Sequence, residues 1–221
     1  MAEAELAHFI DRYTMEFVRH YPHPIERVWR AVTEPAELAQ WFIPPSVWEL
    51  KSGGAYRFHD DGFMGVIEAV EAPRFIRFNF ADPVEAGSYF QFELSPEADG
   101  TRLRYLQHAE PGTARPWQRP HAWDTPWGGG NLGGWHSGFE ELADLLDGVP
   151  CGSRRPPTEF SALSVNWAEG LSKVDLTPEQ KAQIVRELRE RERWFELCDV
   201  YRAHIDATLP SASNPQKENR S

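Results

Sequence analysis

Two cysteines in 221 residues are too few for a disulfide framework, and neither Cys151, in a proline-rich stretch, nor Cys198, in a helical pattern, belongs to a metal-like cluster. They read as free thiols of a reducing compartment. Nowhere do about 18 consecutive apolar residues occur, and Met1-Ala2-Glu3-Ala4-Glu5-Leu6 lacks the basic start and apolar run of a secretory signal. A cytoplasmic protein is the expectation. Basic residues are also scarce: 23 Lys and Arg face 34 Asp and Glu, a formal net charge of −11. Before residue 149 the balance is 12 basic to 23 acidic, and after it 11 to 11, so the excess negative charge lies on the first two thirds of the chain. Such a surface repels both a phosphate backbone and an anionic membrane, which disfavours both, so neither nucleic acid nor membrane is expected as a partner. A Gly-rich phosphate loop, a G-x-S-x-G elbow, H-E-x-x-H and C-x-x-C are all missing, so there is no catalytic signature and no cofactor is expected.

What the chain does have is apolar and aromatic residues, 41% and 13%, enough for one packed domain with an extension. Alternating apolar and polar residues predict strands over about 13–21, 46–50, 54–59, 63–71, 74–80, 87–95 and 101–108, separated by turn residues such as Gly53-Gly54, Ala72-Pro73 and Asp99-Gly100. This is the pattern of an antiparallel meander. Since successive strand residues point to opposite faces, Ile76, Phe78 and Phe80 share one face, as do Phe90, Phe92 and Leu94. In the last strand Leu103, Tyr105 and Gln107 share a face, which sends a hydroxyl and an amide into an otherwise oily interior.

Three motifs occur in a fixed order. Pro24-Ile25-Glu26-Arg27-Val28-Trp29-Arg30-Ala31-Val32-Thr33-Glu34-Pro35, followed by Leu38-Ala39-Gln40-Trp41-Phe42, predicts two short helices over 24–32 and 35–42 and an aromatic pair. Leu50-Lys51-Ser52-Gly53-Gly54-Ala55-Tyr56-Arg57-Phe58 reads as a hairpin, and Gly134-Trp135-His136-Ser137-Gly138-Phe139-Glu140-Glu141-Leu142-Ala143-Asp144-Leu145-Leu146 as a closing helix beginning near Leu132. Together they resemble the SRPBCC (START/Bet v 1-like) superfamily, in the branch named after the C-terminal domain of the activator of the heat-shock-protein-90 ATPase. The resemblance runs from about Tyr13 to Gly148. It implies an α+β helix-grip fold: a curved antiparallel sheet of six or seven strands around a long helix, with a cavity between them.

Alternation and helical spacing bring Trp41, Phe58, Phe78, Phe80, Phe92, Tyr105, Gln107, Trp135 and Phe139 toward that cavity, with His136 on the closing helix as a possible acid or base. Tyr105 and Gln107 are the polar candidates, because a polar group on an apolar wall either finds a partner or binds a polar atom of a ligand. His108, His121 and His136 fall near the expected mouth, but their spacing is not metal-like and no metal is expected. Residues 109–133 carry Trp117, Trp123 and Trp127 among prolines and read either as a cover over the cavity or as a surface loop.

Residues 1–148 are expected to form the helix-grip domain, 149–157 a linker, 158–209 a helical extension and 210–221 a disordered tail. Within the extension, Thr177-Pro178-Glu179-Gln180 carries a capping-box signature for a helix running to about Ala207, with Ile184, Leu188, Phe195, Cys198, Tyr201 and Ile205 near helical spacing. An apolar stripe of that length needs a partner. The convex surface of its own domain is favoured, with Phe160, Leu163, Trp167 and Leu171 as one wall, and the same helix of a second chain is the alternative, so a monomer is expected over a dimer. For function, a protein binding a small hydrophobic ligand is the first reading. A chaperone-type co-regulator gripping a protein partner and a cyclase- or aromatase-like enzyme using the same cavity remain open beside it.

Overall fold

The computed structural model describes residues 6–58, 64–81, 86–111, 129–151 and 177–209, with side chains left out at 129–130, 181–192, 194 and 195. Among these residues the strands and helices follow in the order β1 (His8–Asp11), β2 (Thr14–Tyr21), α1 (Ile25–Thr33), α2 (Pro35–Trp41), β3 (Pro45–Trp48), β4 (Gly54–Phe58), β5 (Met64–Glu71), β6 (Phe75–Phe80), β7 (Tyr89–Glu97), β8 (Gly100–His108), α3 (Gly129–Leu146) and α4 (Pro178–Thr208). All strands lie in one antiparallel sheet of order β1-β2-β8-β7-β6-β5-β4-β3. The meander expected from the turn spacing is therefore present, and it closes back on β2.

The sheet has one strand more than the six or seven expected. The additional strand, β1, has four residues and no apolar alternation, so periodicity carries no signal for it. Its hairpin to β2 is set locally: the Asp11 carboxylate accepts the Tyr13 N–H at 2.7 Å, the side-chain-to-backbone bond that turns the chain.

Alternation assigns the faces as expected. Ile76, Phe78 and Phe80 are buried on one face with Phe90, Phe92, Leu94, Leu103 and Tyr105, and α3 lies across that face. Trp135, Phe139, Leu142 and Leu146, recurring at helical spacing, form the stripe that meets the sheet. The pair α1–α2 closes one end. Glu37 holds both Arg27, at 2.5 Å, and Arg30, at 3.1 Å, while the Trp41 indole N–H donates to the Ala31 carbonyl at 2.9 Å.

The capping box at the start of α4 is formed in full: Thr177 Oγ1 accepts the Gln180 N–H and Gln180 Oε1 accepts the Thr177 N–H, at 3.2 and 2.9 Å. The helix does not dock on the convex surface of the sheet. It packs beside α3, burying Leu197, Tyr201 and Ile205 and reaching the N-terminal strand through Phe9 and His204, which stack at 5.5 Å. Gly133 makes this approach possible, since a Cβ there would stand 3.1 Å from the Leu197 Cβ. The wall is thus provided by α3; Phe160, Leu163, Trp167 and Leu171 lie outside the described residues, as do the tryptophan-rich segment 112–128 and the tail. Both cysteines are free, and burial, followed by the charge of Asp199, pushes the Cys198 thiol up to about 11. Among the described residues no helix is long and apolar enough to cross a membrane.

Gly65 marks the tightest point of the sheet, because a Cβ built there would lie 1.8 Å from the Asn79 carbonyl oxygen of the neighbouring strand. Gly65→Ala must therefore push β5 away from β6. A loss of roughly 1–3 kcal/mol is expected from such overpacking, read as a lower urea midpoint with an unchanged slope.

Candidate functional site

Between the sheet and α3 the interior is built almost entirely of rings. Phe78 and Phe90, cross-strand neighbours on β6 and β7, stack with centroids 4.6 Å apart, and Tyr56 meets Phe78 edge-on at 5.1 Å. From the helix side Trp135 lies 4.1 Å from Tyr105, 4.8 Å from Phe42 and 6.2 Å from Phe92, while Phe139 reaches Trp41 and Trp135. Phe58 bridges Phe42 and Trp48, at 5.1 and 5.7 Å. Phe80 borders the cluster through Phe90 at 5.6 Å. The expected aromatic residues therefore share one interior, joined by Phe42, Trp48, Tyr56 and Phe90, which strand alternation or adjacency to Trp41 could have added.

The two polar candidates meet each other. The Tyr105 hydroxyl donates to Gln107 Oε1 at 3.0 Å, so both are held inside the buried wall as a pair. Among the described residues two other buried polar atoms have no hydrogen-bond partner: the indole Nε1 of Trp48 on β3 and Oδ1 of Asn131 in the first turn of α3. Trp48 packs on Phe58 and Phe78, and Asn131 stands one helical turn before Trp135 on α3.

His136 faces a different way. Its Nδ1 lies 2.8 Å from the Tyr201 hydroxyl and its Nε2 3.5 Å from Glu140 Oε1. Tyr201 in turn accepts the Ala7 backbone N–H at 3.1 Å, and Glu140 is gripped by both arms of Arg193, which also bonds Glu196 at 2.8 Å. His136 thus stands between the Tyr201 hydroxyl and the Glu140 carboxylate, one ring nitrogen toward each. The chain Ala7–Tyr201–His136–Glu140–Arg193 ties the N-terminus, α3 and α4 together. His136 and Glu140 share a face of α3 by their four-residue spacing, but Arg193 and Tyr201 come from some 50 to 65 residues away, and no local signal announces them.

The other histidines of the expected group are placed only in part. His108 is bonded to Thr14 at 3.0 Å and stacked on Tyr89 at 5.3 Å, away from His136, and His121 lies outside the described residues. His20, Glu97 and Asp99 do place ligand-type atoms within 4.8 Å of one another, but all three are exposed and His20 spends one nitrogen on each carboxylate.

Burial alone would raise the pKa of Glu140; the hydrogen bonds from His136 and Arg193 and the charge of Arg193 outweigh it and bring it from 4.5 down to about 2. A carboxylate held below its unfolded value stabilises the fold above about pH 4.5, and that contribution is lost as pH falls toward 2. Arg193, only 5% exposed, would be left without its strongest partner by Glu140→Gln. We expect this change to cost roughly 2–4 kcal/mol at pH 7, somewhat under the figure for a fully buried pair because Glu140 still touches solvent. The difference from the unmodified protein should shrink at pH 3, which denaturant titration at the two pH values measures.

The family model described as activator of Hsp90 ATPase homolog 1-like protein matches residues 22–147. No curated protein matches the chain. Among solved structures, the solution NMR structure of CalU16 from Micromonospora echinospora is similar at 20% identity, covering 86% of this chain and 87% of that one with a TM-score of 0.52. A protein from Arthrobacter aurescens, also solved by solution NMR, is 18% identical over 68% of this chain and 96% of its own, TM-score 0.52. Protein MLL2253 from Mesorhizobium loti is 30% identical over 61% and 96%, TM-score 0.49. At such low identity CalU16 and the Arthrobacter protein speak for the fold alone, and the CalU16 match is long enough to reach into the C-terminal extension. With the family model matched over more than half of this chain, and with a helix-grip sheet closed by α3, the chain belongs to the activator of Hsp90 ATPase homolog 1-like family.

Proposed function

We propose that the protein binds a small, mostly apolar or aromatic molecule between the sheet and α3, and that it senses, carries or sequesters it. The family commonly binds hydrophobic ligands or acts as a cyclase or aromatase, and the choice between these rests on the interior itself. The observation that carries the reading is that two buried polar atoms have no partner: Nε1 of Trp48, whose ring packs on Phe58 and Phe78, and Oδ1 of Asn131, one turn before Trp135 on α3. A buried polar atom left unpaired costs about 1–3 kcal/mol, and among the described residues these two are the buried side-chain atoms so left. A ligand that offers one acceptor and one donor on an apolar body removes that cost. Acid–base chemistry is less well supported, because Tyr105 and Gln107 bond each other and His136 is engaged by Tyr201 and Glu140.

Native mass spectrometry of freshly purified protein tests the reading directly, with a co-purifying small molecule as the expected result. Phe78→Ala provides a second test. In a solid core it should cost about 3–5 kcal/mol, whereas in a ligand pocket the loss is smaller and is accompanied by weaker binding of the neutral probe N-phenyl-1-naphthylamine. Full loss of stability with no saturable probe binding to the unmodified protein would return the interior to plain core.

A further inference from the structure

Gln107 lies on the inward face of β8, two residues beyond Tyr105, and is 2% exposed. Its cross-strand neighbours are Phe90 of β7 and Met15 of β2. Phe90 stacks on Phe78 at 4.6 Å and lies 5.9 Å from Trp135, so the glutamine adjoins the ring cluster.

A primary amide offers an acceptor oxygen at one end and a nitrogen with two N–H donors at the other. The oxygen is in use, because Oε1 accepts the Tyr105 hydroxyl at 3.0 Å. Among the described residues nothing accepts from Nε2. Nor is this nitrogen one of the enclosed atoms left without a partner, so it still borders space that a ligand atom can fill. Holding the oxygen on Tyr105 leaves the donor end of the amide to meet an occupant. A phenol donating to the amide oxygen also polarises the N–H bonds, which strengthens them as donors.

The groups around the amide, Phe90, Met15 and Tyr105, are uncharged. A carboxylate brought there would lose its water without gaining a counter-ion, whereas a carbonyl oxygen on an aromatic body costs far less to bury. Resting on the reading that the interior holds a ligand, we propose that Gln107 is its polar anchor and that the ligand is a neutral aromatic ketone. The carbonyl oxygen accepts from Nε2, and the ring lies among Phe90, Phe78 and Trp135.

The probe is 2-acetylnaphthalene, with 2-ethylnaphthalene, of nearly the same shape, as the control that lacks a carbonyl. In the isotopically labelled, unmodified full chain the side-chain NH2 resonances of Gln107 should shift saturably with the ketone and stay in place with the hydrocarbon. The carbonyl stretch of the bound ketone should fall below its frequency in an apolar solvent. Gln107→Met keeps the length and removes both donors; it should weaken the ketone at least about fivefold and leave the hydrocarbon within about twofold. That change also strips Tyr105 of its acceptor, so if the variant does not fold, the Gln107 resonances of the unmodified protein decide.

Saturable hydrocarbon binding without a ketone shift at Gln107, or an equal loss of both probes in folded Gln107→Met, would overturn the anchor while leaving the hydrophobic site in place. A larger response of Gln107 to 2-naphthoate than to the ketone would overturn the neutral class. If neither neutral probe binds, the interior reading fails and this inference fails with it.

Discussion

Burial of the inward face of the sheet beneath α3 is the constraint on which the other features depend. An open antiparallel sheet with one aromatic face is stable in water only when that face is covered, and here a single helix does most of the covering. The contact is made by large rings on both sides, with Tyr105 and Trp135 closest at 4.1 Å. Ring pairs in tilted and edge-on geometry add about 0.5–1.5 kcal/mol each beyond the area they bury, so a cluster of this size holds the helix firmly in register. The helices α1 and α2 then close the end of the groove, held by Glu37 between two arginines and by the bond from Trp41 to Ala31.

Covering the sheet uses only one stripe of α3. The adjacent stripe, His136, Glu140, Ala143 and Asp147, remains available, and the chain returns to it from the C-terminus with α4. Hydrophobic contact through Leu197, Tyr201 and Ile205 supplies the bulk of the attraction, at roughly 1.5–3 kcal/mol per fully buried side chain. The Tyr201–His136–Glu140–Arg193 chain contributes something different. A buried ion pair adds little net stability once desolvation is counted, but mispairing any member strands a charge or a donor, which favours one docking register over its neighbours. The extension is thereby fixed to the domain at one position, and it also carries Ala7 and the edge strand β1 with it.

The interior separates two kinds of buried polar group. Tyr105 with Gln107, Tyr56 with the Asn79 carbonyl and Tyr21 with the Phe139 carbonyl are satisfied within the protein, and they fix side chains in place. For Tyr21 burial pushes the phenol pKa far up, so the group stays a neutral donor. Among the described residues Trp48 Nε1 and Asn131 Oδ1 are the exceptions.

The sequence by itself determined the sheet, the face each strand presents and the helix that covers it. These follow from short-range rules: a period of two in the strands, a helical stripe at Trp135, Phe139 and Leu142, turn residues between strands and a capping box at Thr177 and Gln180. It also placed the aromatic members of the interior, because their direction depends only on position along one element. What it left undecided depends on contacts between distant segments. Whether Tyr105 and Gln107 would offer themselves to a ligand or satisfy each other depended on how two side chains on one strand turn toward one another. The direction of His136 was settled by a tyrosine 65 residues further on, and the site of α4 docking by a glycine at 133 that lets Leu197 approach. Local patterns decide which way a side chain points, and only the tertiary structure decides what it meets there.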